Sequence, residues 1–298
     1  MANLLDIRRR IKSVKNTQQI TKAMKMVAAA NLKRAQMRVL NARPFAAKMT
    51  EVLNELAAHT DESFHHPLLD QRGDARYLIV LITADKGLCG ALNTNLIKAA
   101  QVFIRENAGR TIEMLPVGRK GRDFFRRRNM AFVGEYIGLT GKGRVEHVEA
   151  VNLARDIIKR FTEDHELDKI FIIYNEFKSV LQQRVVVEQL LPVARIEEES
   201  GAAGGETAQP QTFVEYIYEQ PPADIFSRLL PRFVETQIFR ALLESVASEQ
   251  GARMTAMDSA TKNASELIST LTLNMNRIRQ AAITKEIIEV VSGAAAAT

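Results

Sequence analysis

The sequence predicts an α/β chain with long helices: an antiparallel coiled coil formed by its N- and C-terminal helices, plus an α/β domain between them. Three observations predict this. Near both ends, apolar residues recur at alternating gaps of three and four. Between the ends, apolar residues run together or alternate every second position. Strand-like runs there are interleaved with helical stretches, the pattern of a parallel sheet covered by helices.

The first helix opens with Asn3 as N-cap and Asp6 three residues later, a weak capping box. Its apolar positions begin at Leu4, Ile7, Ile11 and Val14. The phase then breaks through Ile20, Met24 and Val27 and resumes at Leu32, Ala35, Val39, Ala42, Ala46, Met49, Leu53 and Leu56. Pro44 lacks a backbone donor and crowds the preceding turn, so a kink or loosening is expected there. Residues 3 to 58 would span roughly 80 Å at the helical rise.

The last helix is expected to begin at Pro221 and Pro222, with only Pro231 interrupting it afterwards. Met254, Met257, Thr261, Ala264, Ile268, Leu271, Met275, Ile278 and Ala282 keep the three-and-four spacing. A helix over 222–292 would reach roughly 105 Å, too long to be buried in one compact domain. It needs a partner, and residues 1–58 are one. The many Ala, Thr and Met seam positions imply a slender pair. Gly251 costs about 1 kcal/mol relative to alanine inside a helix, so a reason for its small size is expected. The chain thus divides into an N-terminal helix over 1–60, a globular α/β domain over 70–220 and a C-terminal helix over 221–298.

Strands are expected at 77–83, 111–117, 169–175, 184–191 and 212–218, with helices at 92–107, 119–128 and 145–163. The earlier strands suit a Rossmann-like parallel sheet and the later ones a hairpin-like end. Residues 197–211, acidic and rich in small side chains, read as a mobile loop.

At 298 residues, with 46% hydrophobic and 26% charged residues, the chain can bury a core. No apolar run approaches the ~20 residues of a membrane span, and MANLLDIRRR lacks the apolar stretch of a secretion signal. The chain is therefore expected to be soluble and not exported. The single cysteine, Cys89, excludes an internal disulfide and a cysteine-cluster metal site, consistent with a reducing compartment. Net charge is only +6, but residues 1–50 carry twelve Lys or Arg against one acid, Asp6. An acidic partner is expected along this helix.

Glycines after the first expected strand invite a nucleotide-binding reading, but TADKGLCGALN (83–93) fails both phosphate-loop and dinucleotide patterns, as do GRKG (118–121) and GKGR (141–144). Turns and close backbone packing explain them better. His59, Asp61, Glu62, His65 and His66 crowd one linker but lack the fixed spacing of a helix-borne zinc site. Cys89 has no base beside it in sequence and suits a small apolar role. No serine-hydrolase turn or zinc-protease pair occurs, so no catalytic site, cofactor or metal is expected. Arg8, Lys12, Lys15, Lys22 and Lys33 fall within an arc of roughly 80° on the first helix. That stripe could be a solvated face, bind an acidic protein, or bind nucleic acid. The absence of Trp and of a recognised module argues against base recognition. An α/β enzyme on a stalk is the remaining rival, and it needs a ligand pocket beside Gly87 and Gly90.

Three stretches together carry a resemblance: IRRRIKSVKNTQQITKAMKMVAAANLKRAQ (7–36), TADKGLCGALN (83–93), and SEQGARMTAMDSATKNA through ITKEIIEVVSGAAA (248–296). The chain resembles, over essentially its full length, the gamma-subunit family of bacterial F-type ATP synthases. The last stretch fits that family's C-terminal signature at Ile283, Thr284, Glu286, Glu289, Gly293 and Ala294. The resemblance implies a non-catalytic rotor inside a ring of three alpha and three beta subunits, coupling proton flow to conformational change at the beta sites. It implies a foot on the membrane c-ring beside the epsilon subunit, with delta and other stator subunits in the same complex. The place implied is peripheral, at the cytoplasmic face of the bacterial plasma membrane, with no nucleic acid among the partners. Lys22, Met24 and Lys25 are implied to meet an acidic loop of a beta subunit. Glu249, Arg253, Arg279, Gln280, Thr284 and Glu286 are implied to contact or support the alpha-beta ring, although Gln280 and Thr284 could satisfy each other and Arg279 and Glu286 could be solvated surface. Tyr216, Tyr218 and Glu219 are the candidates for the foot. The small tail AAAAT fits a tip turning in an apolar collar. Neither a paired-cysteine insertion nor a transit peptide is present, which favours a bacterial origin.

Overall fold

The computed structural model describes residues 4–58, 65–141, 143–193 and 221–296. Its elements are α1 (Leu4–Ala58), β1 (Arg76–Ile82), α2 (Leu92–Glu106), β2 (Thr111–Val117), α3 (Arg119–Arg126), α4 (His147–Glu163), β3 (Lys169–Phe177), β4 (Gln183–Leu191) and α5 (Pro222–Ala296). They form two compact units: Met1–Ala30 with Arg253–Thr298, and Asn31–Ala252. The expected Asn3 cap, the strand at 212–218, the loop at 197–211 and the foot residues Tyr216, Tyr218 and Glu219 lie outside the described residues.

In the larger unit the sheet order is β2-β1-β3-β4, with β1 parallel to β2 and β3, and β4 antiparallel to β3. Val80 sits opposite both Leu115 and Ile172, which fixes the register of the three parallel strands. The run YLIVLI is continuous because β1 is the inner strand and is buried on both faces. Ile79 and Leu81 join Leu92, Leu96 and Ala100 of α2, with Met114, Phe125 and Ile173, in one core cluster. α4 buries Ala150, Leu153, Ala154, Ile157 and Phe161, an apolar stripe at helical spacing. Its first turn is held where Glu149 accepts from the Glu146 N–H at 3.3 Å. Below its last turn the Arg72 guanidinium donates to the carbonyls of Phe161, Asp164 and Leu167.

Within the same unit, residues 241–250 of α5 are all buried. The segment includes Glu244, Ser245, Ser248, Glu249 and Gln250, so the surroundings must satisfy polar groups. Glu244 accepts from Arg43 of α1 (Nε 3.0 Å, Nη2 2.9 Å) and from the Phe177 N–H (2.9 Å). Arg43 also donates to the Phe177 carbonyl at 2.9 Å, so one charge pair joins α1, α5 and the end of β3. A Cβ at Gly251 would lie 3.4 Å from the Phe177 ring and 3.7 Å from the Val180 carbonyl, ordinary contact distances, so the structure does not explain glycine over alanine there.

The burial pattern of α1 corrects the expected break in phase. Among its buried or half-buried positions, Ile7, Ile11, Val14, Gln18, Thr21, Lys25, Ala28, Leu32, Ala35, Val39, Ala42, Ala46, Met49, Leu53 and Leu56 form one stripe that alternates gaps of four and three throughout. Ile20 and Val27 are about 60% exposed, and the heptad is carried instead by Gln18, Thr21 and Lys25. A search restricted to apolar residues misses it because three consecutive seam positions are polar. Pro44 does not end the helix. It lies on the exposed face with Leu40, whose carbonyl loses its helical donor there and can be hydrated.

On α5 of the smaller unit the seam runs through Met257, Thr261, Ala264, Ile268, Leu271, Met275 and Ile278. Ala282, expected to continue it, is exposed, as is every residue from Ala281 to Ser292. This stretch includes Ile283, Ile287, Ile288, Val290 and Val291, all about half exposed or more.

Candidate functional site

The carboxyl end of the parallel strands is where an α/β sheet of this type binds an anionic ligand. Here Asp85 fills that end. Its carboxylate, 8% exposed, accepts from the backbone N–H of Arg119 (3.1 Å), Gly138 (3.1 Å) and Gly141 (2.8 Å), and from Thr140 Oγ1 (3.2 Å). The N-terminus of α3 therefore already faces a negative charge belonging to the chain. The glycines around it serve close packing. Gly118 has φ +106°, and a Cβ there would meet the Thr83 carbonyl oxygen at 2.1 Å. A Cβ on Gly141 would lie 3.0 Å from Asp85 Oδ2. A narrow gap close by is bordered by Thr83, Leu92, Thr140, Asn175, Ser245 and Glu249, not by Gly87 or Gly90. Cys89 is buried with its sulfur 3.1 Å from Asn93 Nδ2, the small packing role its neighbours predict.

Glu249 is buried, 3% exposed, at the edge of that gap. It thus belongs to the interior of the larger unit and can support an interaction surface only from within. Asn175 Nδ2 and Ser245 Oγ border the same gap and find no hydrogen-bond partner among the described residues. Of the crowded histidine linker, His59, Asp61 and Glu62 lie outside the described residues. His66 accepts from the Leu68 N–H at 3.2 Å, and burial pushes its pKa down. Among the described residues no group of His, Cys, Asp and Glu is placed to hold a metal ion.

Of the basic stripe on α1, Arg8, Lys12, Lys15 and Lys22 in the smaller unit are exposed, as is Lys33 in the larger one. Among the described residues none of the five forms an ion pair with an acid of the chain. Met24 and Lys25 are half-buried. Lys25 has a partner that sequence reasoning missed: its Nζ donates to Asp258 of α5 at 2.6 Å, and Asp258 also pairs with Lys262 at 3.1 Å. These two ammonium groups hold the Asp258 carboxyl below its ordinary range, the Lys25 hydrogen bond being the larger cause. One turn along, the Thr261 hydroxyl lies 2.8 Å from Thr21 Oγ1. The pairings 21 with 261 and 25 with 258 run in opposite directions, so the two helices are antiparallel here.

Arg253 is half-buried in this unit. Arg279, Gln280, Thr284 and Glu286 all lie on exposed helix. Thr284 Oγ1 donates to the Gln280 backbone carbonyl at 2.9 Å, so the Gln280 side chain is not consumed by it. These four residues share the solvent-facing end of α5 with the apolar set Ile283, Ile287, Ile288, Val290 and Val291. An exposed helix end that mixes isoleucine and valine with charge is a surface suited to a surrounding partner.

Residues 3–297 match the family model described as ATP synthase. The chain is 54% identical to the ATP synthase gamma chain of Solibacter usitatus over 100% of both chains. It is 47% identical to that of Trichlorobacter lovleyi, covering 99% of this chain and 98% of the relative. Among solved structures it is similar to a chain in the central stalk and c-ring of Tetrahymena thermophila mitochondrial ATP synthase. That match has TM-score 0.58 and 26% identity, and covers 81% of this chain and 99% of the other. A chain in the OSCP, F1 and c-ring structure of the Euglena gracilis enzyme shares the fold, with TM-score 0.65 and 18% identity over 98% and 94%.

Proposed function

This chain belongs to the ATP synthase gamma-chain family, and from that premise we propose that it is the central rotor shaft of a bacterial ATP synthase. It works inside a ring of three alpha and three beta subunits and stands on the membrane c-ring beside the epsilon subunit, with delta and other stator subunits in the same complex. Proton flow turns the c-ring, and the shaft passes that rotation to the catalytic beta subunits. An asymmetric shaft presents different faces to three equivalent subunits at once. It therefore holds their nucleotide sites in three states and exchanges them as it turns. The observation that carries this reading is the family match across residues 3–297.

The physical design supports a mechanical, non-catalytic part. The segments 1–60 and 221–298 supply the shaft, and 70–220 the globular base. Asp85 occupying the carboxyl end of the sheet leaves no room for a phosphate there, in keeping with nucleotide chemistry residing on the beta subunits. Lys22 and its basic neighbours on α1 offer charge to an acidic loop of a beta subunit, with Met24 beside them. Arg279, Gln280, Thr284 and Glu286, exposed toward the C-terminal end of α5, touch the alpha-beta ring in this reading. Arg253 lies on the same helix further down, and Glu249 acts from the interior. Tyr216, Tyr218 and Glu219 remain the candidates for the foot. No described helix is long and apolar enough to cross a membrane, and the place we assign is peripheral, through the c-ring, at the cytoplasmic face. The nucleic-acid alternative gains no support, because the family match includes the basic helix itself.

Purified with alpha and beta subunits, the chain is expected to raise ATP hydrolysis well above that of alpha and beta alone, and by itself to hydrolyse none. Intrinsic hydrolysis by the isolated chain, or an alpha-beta mixture indifferent to it, would contradict the reading.

A further inference from the structure

The apolar part of the seam in the smaller unit does not define how the two helices line up. The buried or half-buried apolar seam positions are Ile7, Ile11, Val14 and Ala28 on α1 and Met257, Ala264, Ile268, Leu271, Met275 and Ile278 on α5, and they recur at heptad spacing. Sliding one helix by a heptad, about 10 Å, would again set apolar against apolar. The Arg43–Glu244 pair aligns these helices in the larger unit, and within the smaller unit two polar pairs break the degeneracy: Thr21 with Thr261 at 2.8 Å, and Lys25 with Asp258 at 2.6 Å. After a one-heptad slip Thr21 would face Met254 or Ile268, and in the second case Lys25 would lie against Ser265 instead of Asp258. The Thr261 hydroxyl keeps an alternative acceptor in the Met257 carbonyl at 2.7 Å, and Thr21 donates to the Gln18 carbonyl at 3.0 Å. The threonine pair thus adds little to stability, and the charged pair is the stricter test of alignment.

We propose that Lys25 and Asp258, with Thr21 and Thr261, form a register lock that stops the two helices sliding past one another under torque. The proposal rests on the rotor reading and assigns Lys25 a positioning role within its own chain, distinct from any contact with a beta subunit. A half-exposed ion pair contributes little to stability; Lys25 and Asp258 keep 42% and 33% of their side-chain surface. What it supplies is discrimination between registers. A polar residue at a seam position trades stability for a single alignment. A shaft needs that trade, because a seam that slips dissipates the torsion it should pass on.

The test uses the full complex reconstituted in vesicles, with proton pumping per ATP hydrolysed as the readout. Lys25→Asp, Asp258→Lys and the charge-swapped double variant are compared in a Cys89→Ser background. Register is read separately by oxidation of engineered cysteine pairs. V14C with I268C reports the native alignment, and V14C with M275C reports a one-heptad slip. Each single variant is expected to lower pumping per ATP several-fold and to give the slipped cross-link, and the double variant is expected to restore both. Lys25→Met, which keeps the stem and cannot repel Asp258, guards against loss of folding. It is expected to leave thermal stability unchanged or higher while still admitting the slipped cross-link. Single variants that cross-link only in the native register overturn the lock. So does a double variant that stays uncoupled, which would place the role of Lys25 outside the chain. A wild-type chain that fails to stimulate alpha and beta would instead refute the rotor reading, before any variant is compared.

Discussion

Arg43→Ala is expected to destabilise the larger unit by about 3 kcal/mol, the cost of stripping the partner from a buried charge. Glu244 is 4% exposed at its side chain, while Arg43 keeps 44%, so almost all of the desolvation is borne by the carboxylate. With Arg43 present, that carboxylate accepts guanidinium hydrogen bonds at 2.9, 3.0 and 3.3 Å and one from the Phe177 N–H at 2.9 Å. Without it, only the Phe177 N–H remains, and the Phe177 carbonyl also loses a donor. The Arg43→Met/Glu244→Met double variant removes the buried charge altogether and should recover much of the loss. Urea unfolding followed by circular dichroism checks this. A midpoint for Arg43→Ala indistinguishable from wild type would show that the pair holds nothing together. The consequence reaches function because this pair ties α1 and α5 to the end of β3.

Asp85→Ala is expected to cost on the order of 4 kcal/mol, since three backbone N–H groups and one hydroxyl lose their acceptor at once and each buried orphan costs about 1 kcal/mol or more. Asp85→Asn should lose roughly half as much, because one oxygen still accepts while the amide nitrogen faces N–H donors. Hydrogen exchange should rise first at residues 118–121 and 136–141, the segments the carboxylate draws together. Unchanged protection there in Asp85→Ala would refute its role as the internal anion. Gly118→Ala should fail by a different route, steric conflict with the Thr83 carbonyl, and no added anion should relieve it.

The helices, the strands at 76–82, 111–117, 169–177 and 183–191 and the mixed sheet could be read in advance, because period and run length are local properties of the chain. What escaped the reading were features that depend on a partner distant in sequence. The seam through Gln18, Thr21 and Lys25 is invisible to an apolar search, since its polar members are tolerated only because Thr261 and Asp258 meet them. Asp85 carries no motif that distinguishes an internal anion from a surface acid, and only the converging N–H groups give it that role. Among the candidate contact residues, the exposed end bearing Arg279, Gln280, Thr284 and Glu286 follows from α5 running on after its seam ends at Ile278. Lys25 and Glu249 proved to be engaged within the chain's own structure, which no spacing argument could have told.

The central claim is that this chain turns as a unit while alpha and beta subunits hydrolyse ATP around it. The direct measurement fixes the alpha-beta ring to a surface, attaches a gold rod to the globular base of the chain, and follows the rod under dilute ATP. The rotor account predicts rotation in one direction, three equal steps per turn, with one ATP consumed per step. Steady hydrolysis with a stationary rod, or a rod that moves without preferred direction, would contradict it.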